Sequence, residues 1–294
     1  MISIIVSSVN PQLQQEFRRN IAETIGDEEY EIIAIENARN PRTLAQVYNE
    51  GAQKAKYPYL LFMHEDAGFL SKGWAAGIER KLAEPDCGVI GFAGSKIMYD
   101  VPGGWGIDPC WNMMNVVENG VKFDVRINDG VCFDEAVTLD GFGIFVRKEV
   151  WEEIRFDEKL ITGFHCYDVD FSICTALKYK NYICYCVDVF HNSHGKFDEK
   201  WMCQTMEMYE KKWRHFLPVT SSDIALSSKE IKKNEERAYF RYIRDINRKG
   251  VSLAGHLRYF LRYPWTWRHI EHFVRVIPLV LKSKLINKKL VNNK

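Results

Sequence analysis

The chain has no stretch of the ~20 consecutive apolar residues that a bilayer-spanning helix needs. Its start, Met1-Ile-Ser-Ile-Ile-Val, is too short and too uncharged for a signal peptide and reads as a first strand. The standard phosphate loops are missing as well. Gly91-Phe-Ala-Gly-Ser-Lys96 has the wrong spacing for G-x-x-x-x-G-K-[ST], and no G-x-G-x-x-G follows the first strand. Any phosphate bound by this chain would therefore be held by a cation or by side chains. A zinc module is not indicated, because Cys184-x-Cys186 has an unusual spacing and no second pair follows. The 8 cysteines are scattered, several in apolar strand-like runs. The expectation is a cytoplasmic chain whose reduced thiols act as small hydrophobes. Internal repeats and low-complexity tracts are also absent.

Charge of one sign is scarce overall, with a net of +1, but it is unevenly placed. From Lys229 to Lys294 there are 17 Lys plus Arg against 5 Asp plus Glu; the remainder holds 23 against 34. This is an acidic head with a basic tail, and the tail wants an anionic partner or covers the head.

What is present suffices for a large core: 46% hydrophobic residues, 13% of the chain aromatic, over 294 residues. From Met1 to about Phe190 strand and helix signals alternate. Asn10-Pro11 is a cap followed by proline at the first helical position, and Asn40-Pro41 repeats that signal. Leu13, Phe17, Ile21 and Ile25 recur at helical spacing. Such βαβ repetition predicts an α/β fold with a mainly parallel sheet flanked by helices. Between Gly94 and Leu139 the pattern breaks. Glu118-Asn-Gly120 and Asn128-Asp-Gly130 read as hairpin turns of a β-rich insertion over the sheet's edge. Glu199–His215 and Lys229–Lys249 read as helices. The expected division is a head over residues 1–217 and a basic helical extension over 218–294.

The densest chemical signal is Tyr59-Leu-Leu-Phe-Met-His-Glu-Asp66. A short apolar run bounded by breakers is a strand buried on both faces. Acids at its carboxyl end project into the crevice where open α/β sheets bind ligands. A carboxylate there is costly unless it is paired or holds a cation. A solvated loop after an edge strand is the plainer alternative. The other acidic segment, Tyr167-Asp-Val-Asp170, precedes a helical run; Asp168 suits its N-cap and Asp170 its first turn.

The order of these landmarks resembles the nucleotide-sugar-dependent glycosyltransferases of the GT-A fold, in particular the large inverting group called family 2. The resemblance covers roughly Met1 to Gly195. It rests on Glu36-Asn37, Asn49-Glu-Gly51, Phe62-Met-His-Glu-Asp66, Leu139-Asp-Gly-Phe-Gly-Ile-Phe-Val-Arg147, Gly163-Phe-His-Cys-Tyr-Asp-Val-Asp170 and Phe190-His-Asn-Ser-His-Gly195. Two positions depart from the commoner pattern. His64 replaces the first aspartate of the aspartate-x-aspartate motif, and Tyr167 stands where many relatives have glutamate. A bacterial branch linked to capsule and surface-polysaccharide synthesis looks similar at both.

The resemblance implies a set of roles. Asp66 would hold Mn²⁺ or Mg²⁺, with His191 as a late ligand and His64 and His194 as further candidates. Ser7, Glu36, Asn49, Glu65 and Asp140 would serve the donor side. Asp168 would be the base that takes the acceptor hydroxyl's proton, with Asp170 as the alternative register; helix capping accounts for both acids structurally. The donor would be a nucleoside-diphosphate sugar, and the acceptor a saccharide or a lipid-linked acceptor. A non-catalytic nucleotide- or glycan-binding protein of the same fold is the alternative class.

The tail from Gly255 to Lys289 interleaves basic residues with Trp, Tyr and Phe, as interfacial helices do. It suits a peripheral position on an anionic membrane, at the inner face for a cytoplasmic enzyme, or packing on the acidic head. No recognised nucleic-acid module accompanies it.

Overall fold

The computed structural model describes residues 1–193 and 198–248, together with 267, 270, 271, 274 and 278. The candidate ligand His194 and most of the basic tail lie outside these residues.

The chain opens with β1 (Ile2–Ser8), almost wholly buried, and α1 (Pro11–Thr24). Helix α1 begins as its sequence predicts: the Asn10 side chain accepts the backbone N–H groups of Gln12 and Leu13, with Pro11 in the first turn. After β2 (Tyr30–Glu36) comes α2 (Leu44–Lys54). This helix starts later than Asn40-Pro41 suggests. Asn37 clamps the intervening loop, accepting from Arg42 N and donating to Arg42 O, and Thr43 closes a capping box with Gln46. Strand β3 (Tyr59–His64) leads through a tight turn into β4 (Ala67–Phe69), then α3 (Trp74–Leu82) and β5 (Cys87–Gly91). The β-rich middle contains β6 (Ala93–Ser95), β7 (Ile97–Met98), β8 (Asn112–Glu118), β9 (Val121–Val125), β10 (Phe133–Ala136), β11 (Thr138–Leu139) and β12 (Gly143–Arg147). There follow α4 (Lys148–Ile154), α5 (Tyr167–Ala176), β13 (Lys180–Cys184), β14 (Val189–His191), α6 (Glu199–Lys211), β15 (Val219–Thr220) and α7 (Ser228–Arg248).

The main sheet has seven strands in the order β10-β13-β5-β12-β3-β1-β2. Strands β10 and β12 run against the other five. Alternation along the strands divides the core into two layers. Ile5, Phe62, Val89 and Ile144 face α2, α5 and α6. Ile4, Leu61, Ile90 and Phe145 face α1, α3 and the second sheet. That second sheet, β11-β6-β8-β14-β4 with β9 on β8, has six strands and includes the predicted insertion.

One predicted hairpin forms and the other does not. Asn119 and Gly120 take positive φ of 48° and 82° and join β8 to β9. The turn at Asn128-Asp-Gly130 instead carries the chain from β9 in the second sheet to β10 in the first. A buried lysine accounts for the divergence: Lys96, fully buried, donates to Asp134 at 2.6 Å and to Asp223 at 2.6 Å. Asp134 also accepts from Asn128 N and Nδ2, which ties the turn to this charge cluster.

The expectation of eight free thiols is corrected at one place. Cys132 and Cys186 form a disulfide with a Cα–Cα distance of 5.0 Å; the two residues are exposed neighbours at the rim of the sheet. The described part of the extension is not detached. Helix α7 sends Ala238, Tyr239 and Tyr242 into the same core layer as α2 and α5. Among the described residues no helix is long and apolar enough to cross a membrane.

Candidate active site

Strand polarity builds the site. Strands β1 and β3 are parallel neighbours, so Ser7 and His64 end side by side. Because β12 runs against β3, its leading residues Asp140–Phe142 reach the same edge, and His64 N donates to Phe142 O at 3.0 Å. The first turn of α5 closes the edge from the other side. The result is a cleft of about 1570 Å³ into which His64, Asp66, Asp140, Asp168 and His191 all open.

Asp66 lies past the end of β3, yet the turn returns its carboxylate to the strand. His64 Nδ1 is 4.0 Å from Asp66 Oδ1, His191 Nε2 is 3.6 Å from the same oxygen, and the two imidazole nitrogens are 3.4 Å apart. Single ligand atoms from these three residues lie within 4.8 Å of one another. His191 is oriented by stacking on Phe142, with ring centroids 4.7 Å apart and planes at 17°. Burial and the neighbouring imidazole pull the His64 pKa down to about 4, against the opposing pull of Asp66 and Asp140. A neutral imidazole is the form that ligates a metal.

Asp168 faces the cleft from α5. It is not the N-cap that its sequence context suggests. The helix starts two residues earlier than that cap implies, at Tyr167, and the cap position is Cys166 with φ of 70°. Freed from capping, the Asp168 carboxylate accepts Gly141 N at 3.0 Å. Burial, and then the adjacent Asp140 carboxylate, push its pKa up to about 7, with the backbone N–H groups of Val169 and Gly141 restraining the rise. Asp140 is itself held by Trp105 Nε1 at 3.0 Å and Phe142 N at 3.2 Å. Gly141 is needed for close approach, since a Cβ there would stand 2.1 Å from the Tyr167 hydroxyl and 2.9 Å from Asp168 Cβ.

With this geometry in view, comparison with known proteins is informative. A family profile described as a glycosyltransferase-like family matches residues 3–218. The chain belongs to this glycosyltransferase-like family. No curated protein matches it. Among solved structures, the mannosyltransferase PcManGT from Pyrobaculum calidifontis, in complex with GDP-Man and Mn2+, is 11% identical with a TM-score of 0.50, over 98% of this chain and 83% of that one. TarS residues 1–349 from S. aureus, in complex with UDP-GlcNAc, is 10% identical with a TM-score of 0.51, over 96% and 79%. The chain also matches GalNAc-T7 with UDP, GalNAc and Mn2+ at 9% identity and a TM-score of 0.46, covering 66% of this chain and 44% of that one. At such identities the likeness to PcManGT and TarS is one of fold, and it agrees with the α/β architecture described above.

The glycosyltransferase cleft gathers some of the sequence candidates and leaves others outside. Ser7, Glu65, Asp66, His64, Asp140, Asp168 and His191 line it. Glu65 accepts Val9 N and Asn10 N, both at 3.0 Å, which fixes the turn after β1. Burial raises its pKa against those bonds. Glu36 is exposed and turns back to accept Ala38 N and Arg39 N, capping its own loop. Asn49 is spent on structure: it donates to Phe156 O and Glu158, and accepts Trp151 Nε1 and Phe156 N. Asp170, 1% exposed, points into the core and accepts from Lys212 at 2.8 Å and Trp213 Nε1 at 2.9 Å. Glu36 and Asn49, expected on the donor side, and Asp170, the alternative register for the base, are thus not among the residues that line the cleft.

Two contributors were not assigned from sequence. Trp105, in the loop Gly103-Gly-Trp-Gly106, reaches across to Asp140; nothing local marks it. Tyr167 was legible only as a departure from the family pattern, and its hydroxyl turns out to meet His64 Nε2 at 2.7 Å.

The residues present fit a divalent cation. Two imidazoles and one carboxylate bring one ligand atom each within 4.8 Å of one another in the cleft, a mixed N/O set that a transition-metal ion accepts.

Proposed function

We propose that this glycosyltransferase uses a divalent cation and transfers a sugar, with inversion at the anomeric carbon, from a nucleoside-diphosphate sugar to a saccharide or lipid-linked acceptor. The observation that carries the reading is the presence, within one cleft, of both the His64–Asp66–His191 cluster and the raised carboxyl of Asp168. Nucleotide-sugar complexes of PcManGT and TarS, the former with Mn2+, lend support through their shared fold.

In this reading Asp66 and His191 hold the cation, which when bound neutralises charge on the leaving diphosphate. Ser7 and Glu65, at the end of β1 and beside it, face the nucleoside. Asp168 takes the proton from the acceptor hydroxyl as that oxygen attacks C1 from the face opposite the diphosphate. A base with a pKa near the working pH combines a useful fraction of the ionised form with a strong pull on the proton. Gly141 N–H keeps the accepting carboxylate aimed, and Trp105 does the same for Asp140, which is placed to meet a sugar hydroxyl. We also assign residues 218–294 to a basic extension that brings the enzyme to an anionic surface, in keeping with a role in surface-polysaccharide synthesis.

The direct test incubates the protein with Mn2+ and a panel of UDP- and GDP-sugars. Slow donor hydrolysis that stops in EDTA is expected; binding without turnover across a range of acceptors would favour a non-catalytic role. The anomeric configuration of a transferred product, read by NMR, decides inversion. For the extension, the full chain should sediment with anionic vesicles more than a chain ending at residue 254, and salt should erase the difference, since each basic residue near such a surface is worth ~1 kcal/mol. Equal sedimentation would remove the membrane role.

A further inference from the structure

The two places where the sequence departs from its family pattern, His64 and Tyr167, touch each other. They are 103 residues apart in the chain, and His64 Nε2 lies 2.7 Å from the Tyr167 hydroxyl oxygen. That hydroxyl has one proton to give. It lies 3.1 Å from Gly141 O, a carbonyl that can only accept, and donates there. With the proton on that bond the hydroxyl oxygen offers a lone pair to His64, and both contacts are hydrogen bonds when Nε2 carries the imidazole proton. Nδ1 is then left with its own lone pair, facing His191 Nε2 at 3.4 Å and Asp66 Oδ1 at 4.0 Å.

The tyrosine is held where it can impose this choice. Its ring packs edge-on against Tyr48 at 5.5 Å and beside Phe156 at 6.1 Å, and it is buried. The missing side chain of Gly141 leaves the space its hydroxyl occupies. Separations of 3.4–4.0 Å among the three facing atoms are slightly wider than the spacing of ligands bound to one ion. Ligands at ~2.1 Å from a metal stand about 3.0 to 3.4 Å apart at octahedral or tetrahedral angles. A shift of a few tenths of an ångström closes the set.

We infer that Tyr167 fixes the His64 imidazole with its proton on Nε2, so that Nδ1 is a third protein ligand beside Asp66 and His191, and that this set takes a transition-metal ion in preference to Mg²⁺. This rests on the cation site of the proposed function and deepens it. Imidazole nitrogen is accepted well by Mn²⁺ and its heavier neighbours, whereas Mg²⁺ prefers oxygen in octahedral geometry. With one carboxylate in place of the two that an aspartate-x-aspartate pair supplies, the protein offers less charge and more nitrogen. Tyr167 acts through His64 and is a positioning residue, the outer partner that sets a ligand's tautomer.

The test reads binding and spectroscopy rather than turnover. In the metal-free protein labelled with ¹⁵N-histidine, His64 should show the Nε2–H tautomer, and Tyr167→Phe should lose that preference. In the Mn²⁺ complex of the full chain, with or without added UDP, pulsed EPR should count two directly bound imidazole nitrogens. His64→Asn and His191→Asn should each leave one. Tyr167→Phe should weaken Mn²⁺ binding about 10-fold and lower the Mn²⁺/Mg²⁺ affinity ratio, with its melting curve recorded to confirm folding. His64→Asn carries the ligand test independently if the tyrosine variant does not fold. A wild-type protein with a single bound nitrogen that survives His64→Asn overturns the inference and leaves the Asp66–His191 site standing. An unchanged metal ratio in folded Tyr167→Phe overturns the tyrosine's part. Mn²⁺ binding indifferent to Asp66→Asn, or absent from the wild type, overturns the cation site itself.

Discussion

Asp168 and Asp170 share one turn of α5 and meet opposite surroundings. Asp170 accepts a lysine and a tryptophan N–H, and the same lysine reaches Asp157 at 3.0 Å. Beyond it, Lys96 is surrounded by Asp134, Asp223 and the Glu135 carbonyl. In these two clusters each acid faces a lysine. The cleft is built the other way. Asp66, Asp140 and Asp168 line one cleft with two imidazoles and, among the described residues, no lysine or arginine bonded to them, and burial, then Asp140, raises the carboxyl of Asp168 to about 7. Matched charge organises a fold, and removing one member leaves an uncompensated ion. Acids gathered without a cation are a standing cost to the fold, and they make sense at a place where a cation and a proton are to be handled.

The comparison breaks first if the cleft acids prove dispensable. Asp66→Ala should abolish Mn²⁺-dependent donor hydrolysis while leaving the fold intact, because several kcal/mol of stabilisation of the leaving diphosphate goes with it. Metal-dependent activity retained in this variant would remove Asp66 from the site, and full wild-type activity in EDTA would remove the metal. Next in size is Asp168→Asn. The amide oxygen still accepts Gly141 N–H, so melting and donor binding should stay near wild type while transfer slows roughly 10²–10⁴-fold. In the wild type, kcat/KM should fall about tenfold per pH unit below about 7, as the base becomes protonated. Stability has the opposite dependence. A carboxyl whose folded pKa is raised holds its proton more tightly in the native state, so its contribution is complete below ~4 and is lost as pH rises through about 7. Asp168→Asn should flatten both profiles, and an unchanged rate profile would point to another base.

On the matched side the effect should fall on stability. Lys96→Met leaves Asp134, 3% exposed, without its cation. Breaking a buried pair from one side costs ~3–5 kcal/mol, seen as a lower urea midpoint. Donor hydrolysis per folded molecule should be unchanged, because Lys96 does not line the cleft. A loss of activity without a loss of stability would erase the distinction between the two regions.

How far this contrast could be read from sequence depends on how local its causes are. The strand of Tyr59–His64 and the helix after Asn10-Pro11 are written in consecutive residues, and both formed as expected. The start of α2 was misread because Asn37, three residues upstream of the misleading Asn40-Pro41, holds the loop open through Arg42. Asp168 and Asp170 look equivalent in sequence, and only the packing of α6 and the turn after it, bringing Lys212 and Trp213, separates them. Glu36 and Asn49 satisfy a family pattern but use their polar atoms on their own neighbourhoods. The family's order of motifs placed the edge of the sheet where the site forms. Which side chains turn into the cleft is decided by contacts between residues some 100 positions apart.

The smallest expected effect tests whether a single donor can hold a cleft acid in place. Trp105 comes from a glycine-rich loop and gives Asp140 a side-chain hydrogen bond, at 3.0 Å to Oδ2, while Phe142 N serves Oδ1. Trp105→Phe keeps an aromatic ring in the loop and removes the N–H. A hydrogen bond to a charged acceptor is worth about 1.5 kcal/mol at the lower end, so kcat/KM should drop roughly tenfold. Without that donor the Asp140 carboxylate keeps only its bond to Phe142 N and loses the contact that aims its second oxygen. Melting should hardly change, because Trp105 is only half-buried. If the rate stays at its wild-type value, Asp140 does not depend on this contact, and the loop that carries Trp105 contributes only shape to the cleft.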